Sequence, residues 1–309
     1  MKVSVLMITY NHEKFIAQAI ESVLMQNVDF DYEIVIGEDC STDHTREIVT
    51  GYEKKYPGKI RVLLSGKNLG MLRNYARTFN ACRGQYIAVL DGDDYWSSPY
   101  KLKKQVYFLD THPECSGCFH KVKGQCDGSS QSFDIGPTDG KIIFQLKDLV
   151  PENFIANCSV MYRAGLIETF PDWWYSVEMT DWTTHLLHAQ YGDVGYIDEV
   201  MGVYRVHPSG VWSMRSGIDN LQEDIKVYDL IKAHFDYVSN EDIKMIKSNC
   251  YYKLSILSYE NANMKMARDF AIKSFMTYPL NRKISRTMQI KKLLKFNILY
   301  FYEYLKAIL

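Results

Sequence analysis

Tyr86-Ile87-Ala88-Val89-Leu90-Asp91-Gly92-Asp93-Asp94-Tyr95-Trp96 decides how the rest of this chain is read. Five mostly apolar residues stop abruptly at three carboxylates within four positions. A short apolar run with such a break has the length and character of a strand buried on both faces. Three carboxylates so close repel one another, and burying them unpaired is costly. A divalent cation reconciles them, because hard oxygen ligands suit Mg²⁺ or Mn²⁺. The alternative is an acidic loop whose Asp residues cap the helix that Pro99 opens.

Upstream, the same grammar repeats. Val3 to Ile8 is an apolar run ending in Thr9-Tyr10-Asn11-His12, followed by Phe15, Ile16, Ala19, Ile20, Val23 and Leu24 at helical spacing. Glu33 to Gly37 reads as a second strand that stops at Glu38-Asp39-Cys40-Ser41-Thr42-Asp43. A helix then runs to about Tyr56 and breaks at Pro57-Gly58. Ile60 to Leu64 is a third strand, and Leu69 to about Cys82 a helix closed by Gly84. Repeated strand–helix units with continuous apolar strands predict an α/β fold with a mixed, mostly parallel sheet covered by helices. Ligands of such sheets bind outside the carboxyl ends of the strands. Polar clusters stand at the ends of strands one, two and four.

Composition narrows the function. The formal net charge of −1 supplies no basic field for nucleic acid. Seven scattered cysteines, an odd number, point to a reducing compartment. The N-terminus reads as a first strand rather than a signal peptide, and no apolar run reaches the roughly 18–20 residues that span a bilayer. The expected location is cytoplasmic, with peripheral contact on the cytoplasmic face of a membrane as an addition. No GxGxxG follows the first strand and no GxxxxGK[ST] occurs, which argues against nicotinamide and P-loop chemistry. Cys115-x-x-Cys118 with His112, His120 and Cys126 hints at zinc, but the spacing fits no common site.

Four ordered motifs together carry a resemblance. Val5-Leu6-Met7-Ile8-Thr9-Tyr10-Asn11-His12, Glu38-Asp39-Cys40-Ser41-Thr42-Asp43, Asn68-Leu69-Gly70 and Leu90-Asp91-Gly92-Asp93-Asp94-Tyr95-Trp96 resemble glycosyltransferase family 2 in letters, order and spacing. The resemblance is strong over residues 1–110, moderate to His207, and absent beyond about Gly217. It implies a GT-A, Rossmann-like nucleotide-sugar-binding domain over residues 1–217, followed by a C-terminal helical region over 218–309. It also implies an inverting transfer of a sugar from a nucleotide-diphosphate donor, a UDP-sugar, to a hydroxyl of a glycan or lipid-linked glycan.

The same resemblance distributes roles. Thr9 and Tyr10 would cradle the base, and Asp39 would accept the pyrimidine N–H; an ionised carboxylate suits the imide of uracil. Asp91 would face the ribose, and Asp93 would bind Mn²⁺ or Mg²⁺ with Asp94 behind it. Lys67 and Arg73 are candidates to meet the diphosphate or sugar, with surface roles as the alternative. Ser41 and Asp43 read as turn and helix-capping residues. Glu178-Met179-Thr180-Asp181-Trp182 stands where inverting members carry a carboxylate base; Thr180 departs from the usual acid, and Asp181 matches. Glu178 is the reserve base. His207, in Tyr204-Arg205-Val206-His207, is either a metal ligand or a satisfied structural residue.

Beyond the sheet-like region, short strands (Cys118 to Gln125, Ala156 to Arg163, Val194 to His207) and a helix from Thr180 to Tyr191 are expected. From about Asp219 the chain reads as helical, with a helix-turn-helix around Ala267, Ala271 and Pro279. Residues 282–306 carry seven Lys or Arg against Glu303, interleaved with apolar residues. Two readings stay open there: a helix on an anionic membrane surface, or one docked on its own domain. Two other functions also stay open. A nucleotidyltransferase on a similar scaffold should have a Gly-rich basic loop after strand one, which Thr9 to His12 lacks. A non-catalytic sugar-nucleotide-binding scaffold would not need Asp39, Asp91, Asp93 and Asp181 intact.

Overall fold

A computed structural model describes residues 1–129, 131–178, 180–208, 210, 215–236, 238–279, 291–292 and 294–300. They fall into two compact units: residues 1–176 with 180–208, and Val177 and Glu178 with the described residues beyond Pro208. The first hundred residues alternate as their periodicity predicts. In order come β1 (Val3–Thr9), α1 (Ile16–Leu24), β2 (Tyr32–Glu38), α2 (Thr45–Lys55), β3 (Ile60–Leu64), α3 (Met71–Ala81) and β4 (Tyr86–Val89). Next are β5 (Tyr95–Trp96), α4 (Lys101–Thr111), β6 (Cys115–Cys126), β7 (Ser132–Ile135) and β8 (Ile143–Phe144). The unit closes with α5 (Leu146–Leu149), β9 (Met161–Arg163), α6 (Thr180–Ala189) and β10 (Asp193–Val206).

The sheet runs β3-β2-β1-β4-β9-β6-β10-β5, with β7 on β6 and β8 on β10. The long ladders β1–β2, β2–β3, β1–β4 and β6–β10 are parallel; the short ones are antiparallel. The chain steps outward from β1 to β3, then returns to β4 on the other side of β1. The crevice that ligands of open α/β sheets use lies at such a reversal, at the carboxyl ends. Thr9, Glu38 and the turn after β4 all stand there.

Two antiparallel pairings deliver distant residues to the same edge. β9 runs against β4, pairing Ala88 with Met161, so the residues just before β9 lie at the carboxyl end of β4. β9 also runs against β6, and β6 is parallel to β10, so β10 ends at the same edge. β5 pairs Val203 with Tyr95, which sets Tyr204 to His207 beside the Asp91–Asp94 turn. Gly37 lets α3 close on the end of β2: a Cβ there would lie 2.1 Å from Thr78 Oγ1 and 2.6 Å from Asn74 Oδ1.

One expectation is corrected. Ala156 to Arg163 is not one strand; Asn157–Ser159 is a 3₁₀ turn and only Met161–Arg163 joins the sheet. The segment turns back on itself, with Ser159 N donating to Ala156 O at 2.9 Å, and the distant Trp96 Nε1 donates to Cys158 O at 2.8 Å.

The second unit contains α7 (Gly217–His234), α8 (Asn240–Glu260) and α9 (Met264–Thr277). Each starts on a side-chain cap: Ser216 accepts from Asp219 N, Ser239 from Glu241 N and Asn263 from Met266 N. α8 and α9 meet through reciprocal bonds between Ser248 and Ser274, with Ala267 and Ala271 buried. Small residues allow that close approach. Most of residues 282–306, on which the membrane reading rests, lies outside the described residues; Phe296 is buried against Ala267, Ala271 and Tyr259. Among the described residues no helix is long and apolar enough to cross a membrane.

Beneath the sheet, Lys101 is fully buried. Its Nζ lies 3.8 Å from the Trp96 ring centroid and has no hydrogen-bond acceptor. Burial pulls its pKa down to about 7. The folded chain therefore sheds this proton while the unfolded chain keeps it until about pH 10.4. Stability should rise with pH between those values, by up to about 1.4 kcal/mol per pH unit, and be insensitive to this group below about 7. Lys101→Met should abolish that slope and exceed the wild type in stability at pH 7.5. Urea melts across this range check it; a variant with the same slope, or a lower midpoint at pH 7.5, contradicts the assignment.

Candidate functional site

The loops after β1 and β2 are laced together. Asn11 adopts a left-handed backbone (φ 56°), its Oδ1 accepts from Thr42 N at 2.8 Å, and its N donates to Ser41 Oγ at 3.0 Å. His12 N donates to Thr45 Oγ1 at 2.8 Å and Glu13 N to Asp43 Oδ2 at 3.1 Å. Ser41 and Asp43 are thus turn acceptors. Glu38 is fully buried and fully answered: Ser41 N donates to Oε1 at 2.6 Å, and Arg46 Nε to Oε2 at 2.7 Å. It is a structural anchor, quoted in the motif but given no role by sequence reasoning.

The three carboxylates after β4 occupy three different environments. Asp94 is buried, and its Oδ1 accepts from Arg205 N at 2.8 Å. Burial and the charges of Asp93 and Asp91 push its carboxyl far above the usual range. Asp91 accepts from Asn157 Nδ2 at 2.7 Å through Oδ2, while Oδ1 is sealed from solvent without a partner. Burial and the Asp93 charge lift it to about 7. Asp93 is the ionised member. Burial alone would raise it, but the hydrogen bond from His207 and the charges of His12 and His207 outweigh that and hold it below the usual range. Its Oδ2 lies 3.2 Å from His207 Nε2 and 3.6 Å from His12 Nε2.

This arrangement fits a divalent ion held jointly with a diphosphate. Asp93 presents an anionic oxygen between two imidazoles. Asp91 Oδ1, Thr9 Oγ1 and His12 Nδ1 are buried without partners, and Thr9 Oγ1 and His12 Nδ1 both flank Gly92. A Cβ on Gly92 would stand 2.8 Å from Thr9 Oγ1 and 2.9 Å from His12 Nδ1, so only glycine leaves that space. Among the described residues no group of three His, Cys, Asp or Glu forms a ready-made metal cage. Mg²⁺ and its kin need none, since they take one or two carboxylates and complete their shell with phosphate oxygens and water.

The other expected site residues are placed as follows. Thr9 is buried and its carbonyl accepts from Asp39 N; Tyr10 is exposed. Asp39 is buried, with Oδ1 accepting from Leu69 N at 2.8 Å and Oδ2 from Gly70 N at 2.9 Å. Lys67 and Arg73 are both exposed. The arginine of α3 spent on the strand ends is Arg77, whose Nη2 donates to Glu38 O and Leu63 O. Asp181 lies in the first turn of α6, accepting from Asn153 Nδ2 at 2.9 Å and from Trp182 N at 2.7 Å. Burial raises its carboxyl against those two donors. Glu178 pairs with Arg215. Cys115 and Cys118 are free thiols. Sequence reasoning missed Asn153, Asn157, His12 as a neighbour of Asp93, and Tyr75, whose buried hydroxyl is unpartnered. Nothing local marks the two asparagines, which act across 28 and 66 residues.

The profile described as Glycosyl transferase family 2 matches residues 4–170. An uncharacterized protein of Mycobacterium tuberculosis is 36% identical over 209 residues, 68% of this chain and 60% of that relative. The matched stretch is thus under two thirds of the relative's length. Among solved structures, Staphylococcus aureus TarS 1-349 in complex with UDP-GlcNAc superposes with a TM-score of 0.66 at 19% identity, covering 98% of this chain and 92% of its own. The mannosyltransferase PcManGT from Pyrobaculum calidifontis, in complex with GDP-Man and Mn²⁺, gives 0.57 at 16% identity, covering 98% and 87%. At these identities the two structures establish a shared GT-A fold.

Asp39 carries a testable structural duty. Asp39→Ala leaves two backbone N–H groups without their anionic acceptor and should cost about 2–4 kcal/mol of stability. Chemical denaturation measures it. An unchanged midpoint would mean that these bonds do not hold the 68–70 turn.

Proposed function

Because the chain belongs to glycosyl transferase family 2, we propose that it moves a sugar from a nucleoside-diphosphate donor, a UDP-sugar, to a hydroxyl of a glycan or lipid-linked glycan, with inversion. One observation carries the reading. Asp93, the ionised acid after β4, faces His207 and His12 at the switch point of the sheet, with the unpartnered Asp91 Oδ1 two residues away in sequence. The GT-A relatives of like fold, one holding UDP-GlcNAc and one GDP-Man with Mn²⁺, support a nucleotide-sugar donor and a divalent ion here.

In this reading Asp93 and His207 hold Mn²⁺ or Mg²⁺. The bound ion supplies Lewis acidity to the departing diphosphate. Thr9 and Tyr10 border the base, and Asp39 offers the pyrimidine N–H the lone pairs that Leu69 and Gly70 leave. Asp91, kept less acidic by burial and by Asp93, faces the ribose. Lys67 and Arg73 approach the diphosphate or sugar from the loop before α3 and its first turn. Asp181 takes the acceptor proton: the acceptor oxygen bonds to the anomeric carbon as the bond to the diphosphate oxygen breaks. Burial makes its carboxylate a stronger base than an exposed one. Such a base contributes typically about 10²–10⁴-fold.

A panel of nucleotide sugars, assayed with and without Mn²⁺, tests the proposal. Metal-dependent turnover of a UDP-sugar is expected, with Asp93→Ala and Asp181→Asn each losing at least about 10²-fold while melting as the wild type does. An Asp181→Asn protein with near wild-type turnover removes Asp181 from the role of base.

A further inference from the structure

Asp181 cannot be aimed by its own helix alone. α6 supplies backbone donors, Trp182 N on Oδ1 and the N–H of Asp181 itself. The other oxygen takes Asn153 Nδ2 at 2.9 Å. That amide is fixed in orientation, because its own Oδ1 accepts from Ile155 N at 3.3 Å. Flipping it would set an amide oxygen against the carboxylate and an NH₂ against the Ile155 N–H, two repulsive contacts in place of two bonds.

The segment bearing Asn153 is gripped a second time by α6. Ile155 O accepts from His185 Nε2 at 3.2 Å. The Tyr162 hydroxyl donates to His185 Nδ1, which leaves the proton on Nε2 and makes that bond a donation to Ile155. Burial holds His185 neutral, at about 4. Asp181 and His185 are four residues apart and share one face of α6. Two residues beyond Ile155, Asn157 Nδ2 donates to Asp91 Oδ2 at 2.7 Å. Residues 153–157 therefore run as a strap from the first turn of α6 to the turn after β4.

We propose that Asn153 is a positioning residue that aims the Asp181 carboxylate, and that the 153–157 strap sets the spacing between Asp181 and Asp91. The strap is a property of this chain's side chains. Its catalytic consequence rests on the reading of Asp181 as acceptor base, deepening that reading by naming what orients it. Asn153 also stabilises the charged form of Asp181. The other titratable groups near enough to interact with Asp181 are Tyr75 of α3, Asp91 after β4, Tyr162 of β9 and Tyr204 of β10. All are neutral or anionic, so the ionised form is favoured by the Trp182 N–H, by Asn153 and by the backbone N–H of Asp181 itself; Asn153 is the one side chain among these donors.

The test reads Asp181 directly. Carboxyl-labelled aspartate is followed by ¹³C NMR across pH in the full chain, with the Asp181 signal identified by its loss in Asp181→Asn. Asn153→Ala should raise the Asp181 midpoint by about one pH unit, whereas Asn157→Ala should leave it in place. Asn153→Ser, which keeps a shorter donor, should give a smaller rise and serves if the alanine variant does not fold. In turnover assays Asn153→Ala should lower kcat and leave the donor KM unchanged, with the acid limb of the pH profile displaced upward. Wild-type and Asn153 variants that titrate together, or a midpoint that falls, overturn the proposal. If Asp181→Asn retains turnover while the Asn153 variants still shift the midpoint, the strap stands and the base assignment falls.

Discussion

Mutual repulsion among Asp91, Asp93 and Asp94 is the constraint around which the first unit is organised. The turn after β4 cannot hold three ionised carboxylates, and each is answered by a different element. Asp94 turns inward and takes the backbone of Arg205, where burial favours its neutral form. Asp91 is held by Asn157 and lifted toward neutrality. Asp93 alone keeps its charge, because His207 and His12 face it. One anionic oxygen, poised between imidazoles and flanked by unpartnered polar atoms, is what remains to meet a cation.

Those supports lie far from the turn in sequence, Asn157 by 66 residues, Arg205 by 111 and His207 by 114, and the sheet brings them together. The antiparallel β9 carries Asn157 to the end of β4, and the parallel β6–β10 ladder ends with His207 at the same edge. Arg205 fastens this corner further, with its guanidinium stacked between Phe15 and Tyr95 at 5.1 and 4.5 Å. Trp96, next to Tyr95 in β5, covers the buried Lys101. The interior there sacrifices stability to a buried amine, so the firmness of the turn rests on hydrogen bonds rather than on an apolar core alone.

The strands and helices of the first hundred residues were legible because each apolar run is bounded by its own polar break. Tyr86 to Asp94 shows the logic: period, length and interruption agree. Asp93 and His207 could be named as candidates, and the fold brings them to 3.2 Å. Asn153 and Asn157 could not, since an asparagine in an irregular segment carries no periodic signal and its partner is fixed by topology. Ala156 to Arg163 shows the same limit: its apolar letters suit a strand, but Asn157–Ser159 closes a 3₁₀ turn with Ser159 N bonded to Ala156 O. Asp39 shows the opposite limit, because a motif that suggests a ligand contact does not reveal the two backbone amides the side chain already serves.

The central claim is that Asp93 grips a cation shared with a pyrophosphate. The most direct measurement is a crystal structure grown with Mn²⁺ and UDP, with data collected at the manganese absorption edge. An anomalous peak bonded to Asp93 and to the diphosphate oxygens, with Asp91 turned toward the ribose, is the predicted result. A well-ordered nucleotide with no anomalous peak, or Asp93 swung into bulk solvent, contradicts it.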